Sequence, residues 1–194
     1  MRGVADIIRE SIAVKEALLK DGELVEAVEA VSTALVDAFK KDKKALFCGN
    51  GGSAADAQHI AAEFSGRFKF DRPPLYAEAL HVNTSYLTAV ANDYSYAEVF
   101  ARSVRGCGRP GDVLFGITTS GNSPNVVKAV EAARAIGMTT VGMTGDTGGK
   151  LREACTHLIN VPSRETARIQ EAHILIGHIL SELVEARLFG RPGD

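Results

Sequence analysis

The sequence predicts an α/β fold in which helices cover both faces of a parallel sheet. Three observations predict it. Short apolar runs of strand length recur along the chain, and segments of helical periodicity lie among them. Two of the runs end in turns rich in Gly, Ser and Thr that open directly into helices. In order, residues 7–39 read as two helices broken near Asp21-Gly22. Leu24, Val28, Val31, Leu35 and Phe39 keep helical spacing in the second. After the lysine-rich stretch 40–44 the period changes. Ala45-Leu46-Phe47-Cys48 is a short apolar run ending in glycines, the pattern of a buried strand. Residues 77–80, 113–117 and 139–143 are similar, and 158–161 is a weaker fifth run. Helix-like segments include 54–64, 125–136 and 168–188. Strands alternating with helices imply right-handed crossovers onto one sheet. No repeat, low-complexity tract or linker interrupts this order. The expected organisation is one domain over 1–194, with N-terminal helices at 1–41 and an α/β core at 44–190.

The composition excludes several classes of function. A formal net charge of −2 with 24% charged residues gives no electrostatic reason to expect nucleic acid as the main ligand. No uninterrupted apolar run reaches the length of a membrane span. The first twenty residues mix Asp6, Arg9, Glu10 and Lys15 among apolar positions, an amphipathic helix rather than a signal peptide. Cys48, Cys107 and Cys155 form no CxxC pair and are odd in number, so neither a disulfide framework nor a thiolate metal site is expected. A reducing cytoplasm is the simplest setting.

Sheets of this kind bind ligands beyond the carboxyl ends of their strands, so the turn after each strand is the place to look. After the first comes Gly49-Asn50-Gly51-Gly52-Ser53, leading into a helix whose first-turn amides favour an anion, with Ser53 as the expected N-cap. After the third comes Thr118-Thr119-Ser120-Gly121-Asn122-Ser123-Pro124, which offers four hydroxyls. Pro124 suits a first helical turn and makes Ser123 the expected N-cap. Ser, Thr, Asn and Gly are also common at ordinary helix starts. Two such turns in one sheet, without the GxxxxGK[ST] or GxGxxG spacing of nucleotide sites, fit a single phosphoryl group and favour a sugar phosphate.

Chemistry-bearing side chains stand on two helices. His59 and Glu63 are four apart, so imidazole and carboxylate share a face about 6 Å apart along the axis. One divalent metal could take both, and Zn²⁺ accepts such donors; a solvated surface pair is the alternative. The last helix carries Gln170, Glu171, His173 and His178. Gln170 and His178 are eight apart, roughly 12 Å in height, and can barely converge on one ion within a single helix. If both serve one site, metal and substrate must bridge them, or one must come from a neighbouring subunit. Asn92-Asp93, after the helix-like stretch 84–91, reads on chemistry alone as a turn and N-cap.

Taken together, the run from Cys48 to His59, the turn from Thr119 to Ser123 and Arg168-Ile169-Gln170-Glu171 resemble the phosphoheptose isomerases of the sugar isomerase (SIS) domain superfamily. The resemblance covers essentially the whole chain. It implies a flavodoxin-like five-stranded parallel sheet with an N-terminal helical extension, and a homotetramer with active sites between subunits. The implied reaction converts sedoheptulose 7-phosphate to D-glycero-D-manno-heptose 7-phosphate for lipopolysaccharide or other surface glycans. The implied zinc ligands, one ion per subunit, are His59, Glu63, Gln170 and His178. Implied substrate contacts are Asn50, Gly51, Gly52, Ser53, Glu63, Asn92, Asp93, Thr118, Thr119, Ser120, Ser123 and Gln170. Glu63 is the expected base and His178 the expected acid. Two departures stand out. Thr118 replaces a Ser of many relatives, adding a methyl that narrows the phosphate pocket, and Ala167 stands where some relatives place an Asp against the sugar. Another SIS protein binds a replication initiator without catalysis, but it lacks the acidic residue that Glu63 matches. A sugar-phosphate-sensing domain would usually accompany a DNA-binding segment, and none is visible.

Overall fold

The computed structural model describes residues 2–190, so Met1 and residues 191–194 of the expected single domain lie outside the described residues. The chain opens with α1 (Val4–Lys20) and α2 (Gly22–Lys40). The break between them is the single residue Asp21. Its N–H closes α1 on the carbonyls of Ala17 and Leu18, and its carboxylate caps α2 by accepting from Leu24 N at 3.0 Å. Such a cap contributes about 1 kcal/mol. Then come β1 (Ala45–Gly49), α3 (Gly52–Ser65), β2 (Ala77–Ala79), α4 (Thr84–Asp93) and a 3₁₀ turn (Tyr96–Glu98). Next are α5 (Val99–Cys107), β3 (Val113–Ile117), α6 (Pro124–Ala135) and β4 (Thr139–Thr144). The chain continues with α7 (Leu151–Ala154), β5 (His157–Asn160) and α8 (Thr166–Phe189).

All five strands are parallel, in the order β2-β1-β3-β4-β5 expected of a flavodoxin-like sheet. Side chains alternate between its faces. Phe47, Phe115, Val141 and Ile159 turn toward α2, α3 and α8, where Leu35, Phe64 and Ile176 meet them. Phe47 and Phe115 stack with ring centroids 4.7 Å apart. Leu46 and Leu114 turn the other way, onto Phe100 and Val104 of α5 and Val130 of α6. The N-terminal helices share the first of these cores through Leu18, Leu24 and Val28. Strand order reverses between β1 and β3, and Gly49 at the end of one pairs with Ile117 at the end of the other. Both phosphate-type turns therefore leave the sheet side by side at its switch point.

Some local expectations need correction. Ser53 is not the N-cap of α3: Gly51 holds that place, and Ser53 sits buried inside the first turn. Asn92 and Asp93 are not a turn and cap. They are the last two residues of α4, joined by a bond from Asn92 Nδ2 to Asp93 Oδ1 at 2.9 Å, and the next cap is Ser95. Helix α5 has no counterpart among the helices expected from periodicity. It is nine residues long, and its buried Val99, Phe100, Ala101 and Val104 are interleaved with Arg102, Ser103 and Arg105.

His173 has no exposed surface, and its Nε2–H donates to the Thr144 carbonyl at 3.1 Å, tying α8 to β4. Burial pushes its pKa down to about 4, the Thr144 bond opposing the shift. Below its ordinary value of about 6.5 the unfolded chain binds a proton that the folded chain refuses. The contribution is therefore complete above that pH and is lost as the pH falls toward the folded value. At the full shift it amounts to roughly 3 kcal/mol. Urea unfolding at about pH 7.5 and about pH 5 should show this loss, and His173→Gln should flatten it.

Candidate active site

The two turns build one pocket. Asn50, Gly51, Gly52, Ser53, Thr118, Thr119, Ser120 and Ser123 line it, together with Thr166 and Gln170 from the start of α8. Its volume is about 340 Å³. The hydroxyls are already gathered: Thr118 Oγ1 lies 2.9 Å from Ser123 Oγ and 3.4 Å from Ser120 Oγ. Ser123 is the N-cap of α6, with Pro124 next, but its hydroxyl is turned to Thr118 instead of to the helix amides. Those first-turn N–H groups, and the hydroxyls once reoriented, are the donors an incoming phosphoryl oxygen needs. Across the switch point, Asn50 and Asn125 exchange amide bonds of 2.9 and 2.8 Å, and Tyr96 Oη donates to Asn50 Oδ1 at 3.1 Å. This network fixes Asn50 at the pocket edge. Asn125 and Tyr96 are not among the site residues expected from sequence. Only a contact across the sheet reveals them.

The second feature lies further along α3. His59 Nε2 stands 3.0 Å from Glu63 Oε1, as their four-residue spacing requires. His178 of α8 joins them, its Nε2 3.5 Å from His59 Nε2. Ligand atoms of the three residues all lie within 4.8 Å of one another. Two imidazoles and a carboxylate are a donor set suited to Zn²⁺, so these residues fit a divalent cation. The contact exists because α3 and α8 approach closely: a Cβ on Gly177 would come 2.5 Å from Ile60 Cδ1. Phe68, from the loop after α3, stacks on the His178 ring at 5.6 Å and 29°.

Gln170 lies elsewhere. Its side chain packs on Gly52, where an added Cβ would meet Gln170 Nε2 at 2.5 Å, and it lines the phosphate-type pocket. His178 stands two helical turns later, so within one chain the four residues divide between the two features. Asn92 and Asp93 are exposed at the end of α4 and do not line the pocket of the turns. Asp56, three residues before His59, is a further residue that sequence reasoning misses. Its Oδ2 is buried without a partner among the described residues, and burial pushes the carboxyl up to about 6, with the His59 ring opposing the shift. The signal that could find it is its place on the His59 face of the helix.

Comparisons with known proteins show the family to which this chain belongs. The SIS domain family model matches residues 8–145. The chain is 55% identical over 188 residues to the phosphoheptose isomerase of Mycobacterium tuberculosis, covering 97% of this chain and 96% of that protein. Identity to the Clostridium acetobutylicum phosphoheptose isomerase is 51% over 187 residues, 96% of this chain and 95% of the relative. The solved structure of phosphoheptose isomerase from Neisseria gonorrhoeae superposes with a TM-score of 0.88 at 45% identity, covering 94% and 97% of the two chains. With its switch-point pocket and its SIS sheet, the chain belongs to the SIS domain family and, within it, to the phosphoheptose isomerases, which are sugar-phosphate isomerases.

Proposed function

We propose that the chain converts sedoheptulose 7-phosphate to D-glycero-D-manno-heptose 7-phosphate through an enediol, supplying heptose for lipopolysaccharide or another surface glycan. The observation that carries the reading is the placement of both features on α3. The hydroxyl-lined pocket lies at its N-terminus, and the His59/Glu63/His178 cluster lies further along it. One end anchors a phosphoryl group and the other offers proton-transfer groups. The relatives' name, phosphoheptose isomerase, supports a heptose substrate.

In this mechanism Thr118, Thr119, Ser120 and Ser123 bind the phosphate, and Asn50, Gly51, Gly52 and Ser53 close the other side of the same pocket. Glu63 removes the proton beside the carbonyl, and a proton returns at the neighbouring carbon. His178 protonates the carbonyl oxygen as the enediol forms and takes back the proton of the neighbouring hydroxyl as the aldehyde forms. Glu63 gives its proton to the neighbouring carbon, so both groups end as they began. His59, Glu63 and His178 would hold Zn²⁺. Gln170 of the same chain packs on Gly52, so the further ligand position would take Gln170 from a neighbouring subunit. When bound, the ion would polarise the carbonyl and stabilise the developing oxyanion. Phe68 limits the freedom of the His178 ring from one side.

The proposed assembly is a homotetramer with active sites between subunits, which would bring Asn92 and Asp93 to the substrate. Support comes from the surface. Val4, Ile7, Ile8 and Ile12 of α1 are exposed, and an apolar groove of about 370 Å³ runs between α1, α2 and α8. Unpaired apolar surface of this kind favours association. A cytoplasmic location is proposed with it. Among the described residues no helix is long and apolar enough to cross a membrane.

The test is incubation of purified protein with sedoheptulose 7-phosphate, with and without a metal chelator, and NMR of the products. Aldose should form, and chelation should suppress it. Failure to form aldose under either condition would move the reading to a non-catalytic SIS protein that binds a replication initiator.

A further inference from the structure

A buried ion pair joins the two helices of the cation cluster from behind. Arg72 Nε donates to Glu185 Oε1 at 3.0 Å, and the two side chains are 2% and 1% exposed. Taking two charges out of water is costly, and such a pair is often no more stabilising than apolar residues of the same size. The other bonds of the pair give a better account of it.

Arg72 Nη2 donates to the carbonyl of Glu63 at 2.7 Å. Its Nη1 donates to the carbonyls of Phe64 at 2.7 Å and of Gly66 and Pro73 at 3.1 Å. The last carbonyls of α3 have no partner within the helix, and a guanidinium there also complements the helix dipole. Arg72 thus fixes the last turn of α3 at the residue that carries the Glu63 carboxylate. On the other side, the Glu185 carboxylate accepts from Phe68 N at 3.1 Å and Lys69 N at 2.7 Å. Glu185 is seven residues beyond His178, two turns along the same face of α8. The loop it holds carries Phe68, whose ring lies on His178. One pair therefore ties together the turn bearing Glu63, the helix bearing His178 and the ring that covers His178.

We propose that Arg72 and Glu185 are positioning residues that set the divalent-cation affinity of the His59/Glu63/His178 cluster. The proposal rests on the reading of that cluster as a cation site. Neither residue belongs to the cluster or lines the hydroxyl-lined pocket. Both act through the backbone of α3 and the 66–72 loop.

The experiment titrates Zn²⁺ into the metal-free protein against a chromophoric chelator and records thermal unfolding in parallel. Glu185→Gln should weaken zinc binding about 10- to 100-fold, the range typical of losing an outer partner of a metal ligand. The control is Asp112→Asn. It breaks another buried pair, Lys44 Nζ to Asp112 Oδ2 at 2.7 Å, at the amino-terminal end of β1 and β3, away from the cluster. That variant should lose thermal stability and keep the parent zinc affinity. A Glu185→Gln protein of lowered stability with parent affinity would overturn the proposal and leave the pair purely structural. An unsubstituted protein that binds no zinc would instead overturn the cation reading, and the positioning role with it. Should Glu185→Gln fail to fold, Arg72→Lys decides. It keeps the buried charge but loses the guanidinium fork on the Glu63 and Phe64 carbonyls, and parent zinc affinity there would overturn the proposal.

Discussion

Replacing Glu63 by glutamine is expected to lower turnover by about 10²- to 10⁴-fold, the usual contribution of a positioned general base. Substrate binding should survive. The amide keeps the size of the carboxylate, and the hydroxyls proposed to bind the phosphate lie at the other end of α3. The change also removes a charged ligand from the cation cluster, so assays belong at saturating zinc, where loss of metal and loss of the base are separated. Steady-state rates would be read beside calorimetric binding of the sugar phosphate. A Glu63→Gln enzyme with near-parent kcat would end the assignment of Glu63 as the base. Loss of binding with kcat retained would place Glu63 in substrate recognition instead.

The second large effect is expected at Gly121, in the middle of the serine turn. Its φ is +69°, and an added Cβ would stand 2.1 Å from the carbonyl oxygen of Gly148. An L-residue pays about 1–2 kcal/mol in the left-handed region before any clash is counted. The atom it meets is backbone, so the clash cannot be relieved by a rotamer change. Gly121 N–H donates to the Thr118 carbonyl at 3.2 Å, and its own carbonyl accepts from Leu151 N at 3.2 Å. A shift of Gly121 therefore displaces Thr118 and Ser120 together. Gly121→Ala should raise KM at least about 10-fold while kcat falls less, because the residues proposed for proton transfer are not in the turn. It should also lower the melting temperature by several degrees, at about 2–4 °C per kcal/mol for a chain of this size. Parent KM in this variant would argue that the turn does not hold the phosphate.

Much of the fold is legible in the sequence, because strands and helices in an α/β sheet announce themselves by local period. The runs at β1 and β3 are continuous and apolar since both faces of the sheet are covered, and β4, though half threonine, is buried almost throughout. Sequence reading fails where local signals compete. Ser53 looks like a cap, but the glycines before it let the helix begin earlier. Asn92-Asp93 has turn-forming side chains, yet Tyr94 N–H still closes α4 on the Val90 carbonyl and draws both residues into the last helical turn.

By itself the sequence determined the two hydroxyl- and glycine-rich turns, the shared face of His59 and Glu63, and the separation of Gln170 from His178. Each of these depends only on residue type and on the rise and rotation of one helix. Tertiary structure decided which turns become neighbours, because the pairing of β1 with β3 joins segments nearly seventy residues apart. It also decided that His178 meets His59 while Gln170 goes to Gly52, through the close approach of Ile60 to Gly177. The Arg72–Glu185 pair, 113 residues apart, has no signature in either local segment. Long-range contacts arise from how whole faces pack, and local period does not record that.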